Sequence, residues 1–326
     1  MPSSLTSALE SVLGSSSPEA LRRATSTLME VYRSGAPPTR QVLRDEVTAT
    51  AYAAYRMPAT YAALSRALAQ ALTVDPGVDV TSLVDVGGGT GAAIWAAAEA
   101  FPDLRSVSVL DGSRAALGLG RRVAAHGPPV LAAATWRHVD LTSDVVLPQA
   151  DLASIGYVLG ELDDSLHGPV VDAMASSARF ALVIEPGTPR GYAAVLSARA
   201  RLTAAGWHVL APCPQSGACP LGGDDWCHFA ARLDRSALHR RLKGAALGHE
   251  DEKFSFVFAA RDPGTPGRGR VLRHPLTRKR LVQLEVCRPD GTAGTEIISR
   301  RAGPTYRHAR GVGWGDEWPI GPEAVR

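Results

Sequence analysis

The chain contains 326 residues, of which 45% are hydrophobic and 21% are charged. This composition is typical of a globular protein, and four cysteines are too few for the disulfide framework of a small secreted scaffold. The formal net charge of +3 conceals an asymmetry, because residues 1–190 hold 14 basic and 19 acidic side chains whereas residues 191–326 hold 21 and 13. The basic C-terminal part favours a polyanionic partner, nucleic acid first, with a solvated arginine-rich surface as the alternative.

The first twenty residues contain Glu10 and Glu19 and no lysine or arginine. This pattern is typical neither of a secretion signal nor of an arginine-rich mitochondrial presequence. No apolar run reaches the roughly 18 residues that a membrane-spanning helix needs. We therefore expect a cytoplasmic protein with no membrane partner.

Residues 1–78 are expected to form a helical region. Apolar and aromatic side chains recur at roughly helical spacing, which predicts helices over residues 4–33 and 39–74. Pro37–Pro38 predicts a linker between the two helices, and Pro58 is expected to start or kink a turn.

Residues 79–262 alternate short apolar runs with amphipathic segments. Strands are predicted at Ser82–Val86, Ser106–Asp111, Trp136–Asp140, Leu152–Val158, Phe180–Glu185, His228–Leu233 and Phe254–Ala260. Helices are predicted at Ala92–Phe101, Arg114–Ala125, Leu166–Ala178 and Tyr192–Ala205. Such alternation indicates an α/β fold with a parallel sheet and helices on both faces.

Residues 263–326 are expected to form a separate basic unit, because the helical pattern stops after Pro263. Short strand-like runs occur at Arg270–His274, Leu281–Cys287 and Thr295–Ser299, separated by proline, glycine and an Asp-Gly pair. This pattern predicts a small antiparallel β unit at the C-terminal end.

A glycine-rich loop follows the first predicted strand. Asp85 is followed by Gly87, Gly89 and Gly91, and Asp111 closes the next strand. Glycines let the backbone turn sharply and approach a ligand, and the N–H groups at the start of the next helix favour polar or anionic ligand atoms. A carboxylate at this spacing can accept hydrogen bonds from both ribose hydroxyls. The spacing alone permits NAD, S-adenosylmethionine or a tight turn without a ligand.

The pattern from Asp85 to Gly91 resembles motif I of class I methyltransferases, and the order of the predicted strands resembles that fold. The resemblance implies S-adenosylmethionine as the cofactor and places Asp140 near its adenine. No Pro-Pro-aromatic motif, typical of enzymes that methylate base amines, follows the fourth predicted strand. The candidate catalytic residue for placing a substrate is Glu185, with a structural role at the end of its strand as the alternative.

All four cysteines are candidates for one metal site. Cys213, Cys219 and Cys227 fall in a Cys-rich loop at 212–227, and Cys287 lies 60 residues after Cys227. Four thiolates suit either a cubane iron–sulfur cluster or tetrahedral zinc. The long gaps between the first three cysteines favour the cluster, because zinc ribbons often have two-residue gaps. The spacing also leaves open four unrelated buried thiols.

Several further segments accompany the glycine loop: residues 51–61, Val183–Pro189, Ala211–Pro214, Trp226–Phe229, Glu252–Ser255, and Tyr306–Arg307 with Trp314–Asp316. Together they resemble the methyltransferase-like assembly factors of the small ribosomal subunit, the Rsm-twenty-two type, which occur in mitochondria and bacteria. The resemblance extends from about Ala51 to Trp318, which is most of the chain.

This resemblance implies a Rossmann-like domain for S-adenosylmethionine, contact with small-subunit rRNA in assembly intermediates, and a [4Fe–4S] cluster on Cys213, Cys219, Cys227 and Cys287, with zinc as the alternative. The cations expected to neutralise rRNA phosphates are Arg268, Arg270, Arg273, Arg278, Lys279, Arg280, Arg300, Arg301, Arg307 and Arg310. We expect a factor that assists small-subunit assembly and translation and is monomeric away from the ribosome. The alternatives are an active methyltransferase on rRNA or a ribosomal protein, a zinc-stabilised RNA-binding protein and, last, a redox protein.

Overall fold

The computed structural model describes residues 1–14, 17–34, 43–142, 145–234, 248–265 and 267–319. The predicted linker at Pro37–Pro38 lies outside these ranges. Within them, the chain forms a group of N-terminal helices, an eight-stranded sheet and a five-stranded sheet. In the part of the chain that is described, no helix is long and apolar enough to cross a membrane.

The described N-terminal part contains four helices where two were predicted. They are α1 (Ser3–Leu13), α2 (Pro18–Ser34), α3 (Glu46–Tyr55) and α4 (Met57–Val74). The break between α3 and α4 falls at Arg56, because Pro58 lacks an N–H group and is tolerated in the first turn of a helix but not in its interior. At the start of α3, the side chain of Asp45 accepts a hydrogen bond of 2.8 Å from the N–H of Thr48.

The large sheet has the order β3-β2-β1-β4-β5-β8-β6, with β7 paired to the first half of β8. Its strands are β1 (Ser82–Val86), β2 (Ser106–Asp111), β3 (Thr135–His138), β4 (Leu152–Gly156), β5 (Phe180–Pro186), β6 (His208–Ala211), β7 (Phe229–Asp234) and β8 (His249–Ala260). The first five strands are parallel, and β8 runs antiparallel to β5, β6 and β7. The strand order reverses beside β1, which leaves a crevice at the carboxyl ends of β1 and β4, where α/β sheets bind ligands.

Helices cover both faces of this sheet and bury two separate cores. The connecting helices are α5 (Ala92–Ala100), α6 (Arg114–Ala124), α7 (Pro129–Ala132), α8 (Asp164–Ser177) and α9 (Pro189–Ala204). One core joins α1, α4, α5 and α6 to the sheet, and the other joins α8 and α9 to the opposite face. The predicted α/β class with a Rossmann-like methyltransferase core is therefore confirmed.

The small sheet has the order β10-β11-β9-β13, with β12 paired to β11. Its strands are β9 (Gly269–Val271), β10 (Leu276–Arg278), β11 (Leu281–Cys287), β12 (Ala293–Ser299) and β13 (Glu317–Trp318), with a short helix α10 (Pro304–Ala309) before the last strand. Val271, Val282, Leu284 and Val286 form its own small core. The division of the chain at residues 78 and 262 stays a prediction.

Candidate functional site

The glycine loop between β1 and α5 forms one wall of a cavity. Gly87, Gly89 and Gly91 have φ values of 67°, 52° and 89°, in the left-handed region that L side chains rarely adopt. A Cβ atom on Gly88 would lie only 2.4 Å from Oδ2 of Asp85. The loop can therefore keep this shape, with its backbone close to the cavity, only because it is built of glycine.

Asp111 lies at the end of β2, opposite the glycine loop. Its Oδ2 accepts a hydrogen bond of 2.8 Å from the N–H of Gly89, and its Oδ1 accepts one of 2.6 Å from the N–H of Ser113. Burial raises the pKa of Asp111, and these two hydrogen bonds oppose that effect. The carboxylate is thus held in a fixed position at the cavity wall.

Asp85 is buried beneath the same loop. Its Oδ1 accepts a hydrogen bond of 2.7 Å from the hydroxyl of Ser154, whereas its Oδ2 has no hydrogen-bond partner among the described residues. Burial raises the pKa of Asp85 to about 7, against the effect of the Ser154 hydrogen bond, and the nearby charge of Asp111 adds to the rise. An unpaired buried acceptor is costly, so a donor on a bound ligand would be favoured here.

These side chains surround a cavity of about 430 Å³ at the carboxyl ends of β1, β2 and β4. This volume is within the range of protein pockets for cofactors and drug-sized molecules. The predicted cofactor residues that line it are Asp85, Gly87, Gly89, Asp111 and Asp140. Asp140 lies exposed at the rim, where its Oδ1 accepts a hydrogen bond of 2.7 Å from the hydroxyl of Thr142. Gly91 lies behind the cavity, at the start of α5 and against the ring of Trp136.

The N-terminal helices also contribute to this cavity, which the sequence pattern did not predict. Tyr52 of α3 and Thr60 and Leu64 of α4 line its wall. The backbone carbonyl of Leu43, also at the wall, accepts a hydrogen bond from the hydroxyl of Ser113. The Ala- and Tyr-rich run at residues 51–61 contributed to the family resemblance, but its pattern does not distinguish the face that meets the cavity from the face that meets the core.

A second feature that the sequence did not predict is a linked group of Arg56, Tyr157 and Glu252. The guanidinium of Arg56 donates two hydrogen bonds, of 2.8 and 2.7 Å, to the carboxylate of Glu252. The hydroxyl of Tyr157 donates a third, of 3.0 Å, to the same carboxylate, and Arg56 also lies over the Tyr157 ring. Tyr157 has a φ of 62° and lines the cavity. This group therefore connects the junction of α3 and α4, and β8, to the cavity wall.

Glu185 does not occupy the position expected of a substrate-placing residue. It is 1% exposed, and it lies outside the described wall of the cavity. Its Oε1 accepts hydrogen bonds of 2.9 and 2.8 Å from the N–H groups of Val158 and Leu159, and its Oε2 accepts one of 3.3 Å from Gly160. Burial raises its pKa to about 7 despite these hydrogen bonds. The structure therefore favours the structural alternative for Glu185, because its carboxylate holds the loop after β4 and lies outside the cavity wall.

The four cysteines line a second, smaller cavity of about 40 Å³. Cys213 and Cys219 follow β6, Cys227 precedes β7, and Cys287 ends β11 of the small sheet, so residues distant in the sequence meet here. All four are free thiols. Burial raises the pKa of Cys227, and the other three cysteines raise it further.

The donor set of this second cavity suits a thiolate-bound metal centre, because it offers three cysteines from the loop at residues 212–227 and a fourth from the end of β11. Tyr192 of α9 also reaches it, with its hydroxyl 3.2 Å from Sγ of Cys219. Within the described ranges, however, no group of three or more His, Cys, Asp or Glu side chains is placed to hold a metal ion. Metal binding by these cysteines therefore stays a prediction.

The predicted RNA-binding cations fall into two groups. Those exposed at the surface are Arg268, Arg278, Lys279, Arg280, Arg300, Arg301, Arg307 and Arg310. Lys279 and Arg280 form the turn between β10 and β11, and the N–H of Arg300 donates a hydrogen bond of 2.9 Å to the carbonyl of Arg280. We call Arg278, Lys279, Arg280, Arg300 and Arg301 the cationic edge.

The remaining two cations point elsewhere. Arg270 is 2% exposed, and its guanidinium donates hydrogen bonds of 3.0 and 2.9 Å to the carbonyls of Pro212 and Gly315. A buried guanidinium with these partners does not reach a phosphate, so the structure removes Arg270 from the predicted RNA contacts. Arg273 is half-buried and forms an ion pair with Asp225.

Comparison with known proteins places this architecture in a family. The profile described as "Mitochondrial small ribosomal subunit Rsm22" matches residues 46–319. A human relative, "Ribosome assembly protein METTL17, mitochondrial", is 29% identical over 291 residues, which cover 82% of this chain and 62% of the relative. A Schizosaccharomyces pombe relative, "Rsm22-cox11 tandem protein 2, mitochondrial", is 23% identical over 346 residues, which cover 87% of this chain and 45% of the relative. The chain thus spans about half to three-fifths of the length of these curated relatives.

Solved structures of methyltransferases are similar at low sequence identity. Magnesium protoporphyrin IX methyltransferase from Synechocystis, with bound S-adenosylmethionine, is 18% identical with a TM-score of 0.37, covering 60% of this chain and 76% of that chain. Precorrin-6y C5,15-methyltransferase from Geobacter metallireducens is 15% identical with a TM-score of 0.38, covering 60% of this chain and 86% of that chain.

These comparisons contradict the expected cytoplasmic location, because the family description and both curated relatives are mitochondrial. The expectation rested on a missing leader pattern, and a missing pattern does not identify a compartment. The family profile covers well over half of the chain, and the chain therefore belongs to the Rsm22 family.

Proposed function

We propose that this chain is a methyltransferase-like factor that binds S-adenosylmethionine and small-subunit rRNA, holds a [4Fe–4S] cluster on its four cysteines, and assists assembly of the small ribosomal subunit. The observation that carries the proposal is that the family match at residues 46–319 contains the glycine-loop cavity, the four-cysteine cavity and the cationic edge together. The printed names of the family and of its human relative support the ribosomal role.

The geometry of the first cavity supports a nucleoside ligand. Asp111 is oriented by the N–H of Gly89 and is placed to accept ribose hydroxyls. The unpaired Oδ2 of Asp85 and the N–H groups at the start of α5 provide further polar sites beneath and beside it. An active methyltransferase has less support, because the candidate for placing a substrate, Glu185, is buried away from this cavity.

The four-cysteine cavity supports a metal centre held by thiolates, because all four cysteines line it. We assign a cluster rather than a single zinc ion, because the gaps between Cys213, Cys219 and Cys227 are longer than the two-residue gaps that are common in zinc ribbons. When bound, the cluster would cross-link the loop at residues 212–227 to β11, and its binding energy would contribute to folding.

The cationic edge is the surface we assign to rRNA. Its five side chains lie on adjacent segments: the end of β10, the β10–β11 turn and the residues that follow β12. Among the described residues, none of these five side chains forms an ion pair with a carboxylate, whereas Arg273 forms one with Asp225. Phosphates are therefore available partners for these cations.

Salt dependence tests the rRNA assignment. We expect that replacing Arg278, Lys279 and Arg280 together by glutamine weakens binding of small-subunit rRNA. The negative slope of log affinity against log salt should also become less steep by about 2, because each lost phosphate contact removes about 0.7–0.9 from its magnitude. Fluorescence anisotropy over a salt series measures both quantities. The matched control replaces three exposed arginines outside the small sheet, Arg105 before β2, Arg121 of α6 and Arg137 of β3. Equal slopes for the two triple variants would contradict the assignment.

A further inference from the structure

Two buried arginines line the four-cysteine cavity. Arg199 of α9 is 4% exposed and Arg270 of β9 is 2% exposed, and both line the cavity. Arg199 lies on the same helical face as Tyr192, Val195 and Leu196, which also line it. Burying a guanidinium is costly unless an opposite charge or a full set of acceptors compensates for the lost water.

The hydrogen bonds of Arg270 orient it toward the cysteines. It is the cross-strand partner of Cys287 in the pairing of β9 with β11. Its Nε donates to the carbonyl of Pro212, the residue before Cys213, at 3.0 Å. A single guanidinium therefore lies beside the distant cysteine and beside the first cysteine of the loop.

Arg199 is held in a similar way by the loop that carries Cys213. Its Nη2 donates a hydrogen bond of 2.9 Å to the carbonyl of Gln215, two residues after Cys213. Its Nε has no hydrogen-bond partner among the described residues. Neither Arg199 nor Arg270 forms an ion pair with a carboxylate in the described ranges. The charges of Glu317, the cross-strand neighbour of Arg270 in β13, and of Asp316 act on Arg270 only from a longer distance.

We propose that Arg199 and Arg270 are the counter-charges of the metal centre, and that they raise its reduction potential. This inference rests on the proposed [4Fe–4S] cluster. An oxidised cluster with its four thiolates carries a net charge of about −2, which the two guanidinium groups balance. One-electron reduction adds one negative charge and no proton, so nearby positive charge favours the reduced form.

Potentiometric titration of anaerobically purified protein tests the inference, with dithionite as the one-electron reductant and EPR or absorbance as the readout. Arg199→Gln and Arg270→Gln are each expected to shift the reduction equilibrium at least tenfold toward the oxidised form, which is about 59 mV for one electron. Arg199→Lys restores the charge and is expected to recover most of that shift. The matched control is Arg261→Gln, because Arg261 is exposed and also donates to backbone carbonyls but lies outside this cavity.

Iron, sulfide and zinc analysis of the unmodified protein comes first, because it distinguishes failure of the proposed cluster from failure of the proposed role of the two arginines. Protein without iron and sulfide would overturn the cluster and this inference together. Protein with a cluster whose potential is unchanged in both glutamine variants would overturn the inference alone. If a glutamine variant loses its cluster, retention by Arg199→Lys supports the counter-charge role, and loss in both Arg199 variants contradicts it.

Discussion

At the scale of single residues, the most unusual groups are two buried carboxyls with raised pKa values. Asp85 and Glu185 both have pKa values of about 7, against ordinary values of 3.8 and 4.5, and burial is the main cause for each. The native state therefore retains protons that the unfolded chain releases above about pH 4. The two protonated carboxyls therefore contribute fully to the free energy of unfolding at pH values below their ordinary pKa values. This contribution is lost as the pH rises through about 7.

The free energy of unfolding of the cofactor-free protein should therefore fall between about pH 5 and about pH 8. We expect Asp85→Asn, which cannot ionise, to reduce this fall by at least about 1 kcal/mol, since one pKa unit corresponds to about 1.4 kcal/mol. Urea denaturation at the two pH values measures the difference. Asp262→Asn, at an exposed carboxylate, is the control and should leave the fall unchanged. An identical fall in Asp85→Asn would show that Asp85 is not protonated in the native state.

Asp111 provides a test of the glycine-loop cavity itself. Asp111→Asn keeps the size of the side chain but removes the charge that the N–H groups of Gly89 and Ser113 orient. We expect the Kd for S-adenosylmethionine to rise at least tenfold, because a hydrogen bond to a charged group contributes about 1.5–3 kcal/mol. Isothermal titration calorimetry measures the Kd, with the exposed Asp103→Asn as control. Unchanged affinity would exclude Asp111 as a ligand contact.

At the scale of secondary-structure elements, α6 contains two glycines with opposite surroundings. A Cβ atom on Gly118 would have no neighbour within 4 Å. The same atom on Gly120 would lie 2.5 Å from the ring of Trp136 and 3.0 Å from the backbone of Thr90. The same helix therefore supplies both a test and its control.

We expect Gly118→Ala to stabilise the protein by about 0.5–1 kcal/mol, because alanine loses less backbone entropy in a helix. Gly120→Ala should instead destabilise it by about 1–3 kcal/mol through overpacking against Trp136. Thermal or urea denaturation of the two variants gives the comparison. Effects of the same sign would mean that α6 packs on β3 differently from the structure.

The sequence predicted the parallel strands well because their apolar runs are buried and sharply bounded. The observed β1 and β2 have the predicted bounds, and the predicted helix Ala92–Phe101 is one residue too long. Short edge elements were missed: β6, β10 and β13 span two to four residues and have no pattern distinct from a loop. The early start of β8 at His249 was missed because its first six residues are mostly polar.

The candidate site was predictable where it depended on local spacing. The glycine loop and Asp111 belong to one strand–helix–strand segment, so sequence distance indicates spatial proximity. The roles of Arg56, Glu252 and Glu185 depend on contacts between distant segments, and no local pattern reports those. Arg270 was assigned to RNA because charge composition does not distinguish an exposed cation from a buried one.

At the scale of the whole molecule, the ion pair between Arg56 and Glu252 joins the N-terminal helices to β8 across 196 positions of sequence. Their side chains are only 19% and 12% exposed. Glu252→Gln should destabilise the protein by about 3 kcal/mol, because it leaves the charge of Arg56 largely buried and unpaired. Urea denaturation measures this loss.

The neighbouring residue on β8 supplies the control. Asp251 pairs with Arg232, and these side chains are 45% and 65% exposed. Asp251→Asn should therefore change the free energy of unfolding by less than about 1 kcal/mol. Losses of equal size for the two substitutions would contradict a structural role of the Arg56–Glu252 pair.

The position of β8 has a consequence for synthesis of the protein on a translating ribosome. This strand lies between β5 and β6 and also carries β7, yet it follows all three in the chain. When β5 leaves the exit tunnel, one of its edges has no partner until His249–Ala260 emerges. An unpaired strand edge promotes association with other chains. The nascent protein should therefore depend on chaperones most strongly in the interval between emergence of β5 and emergence of β8.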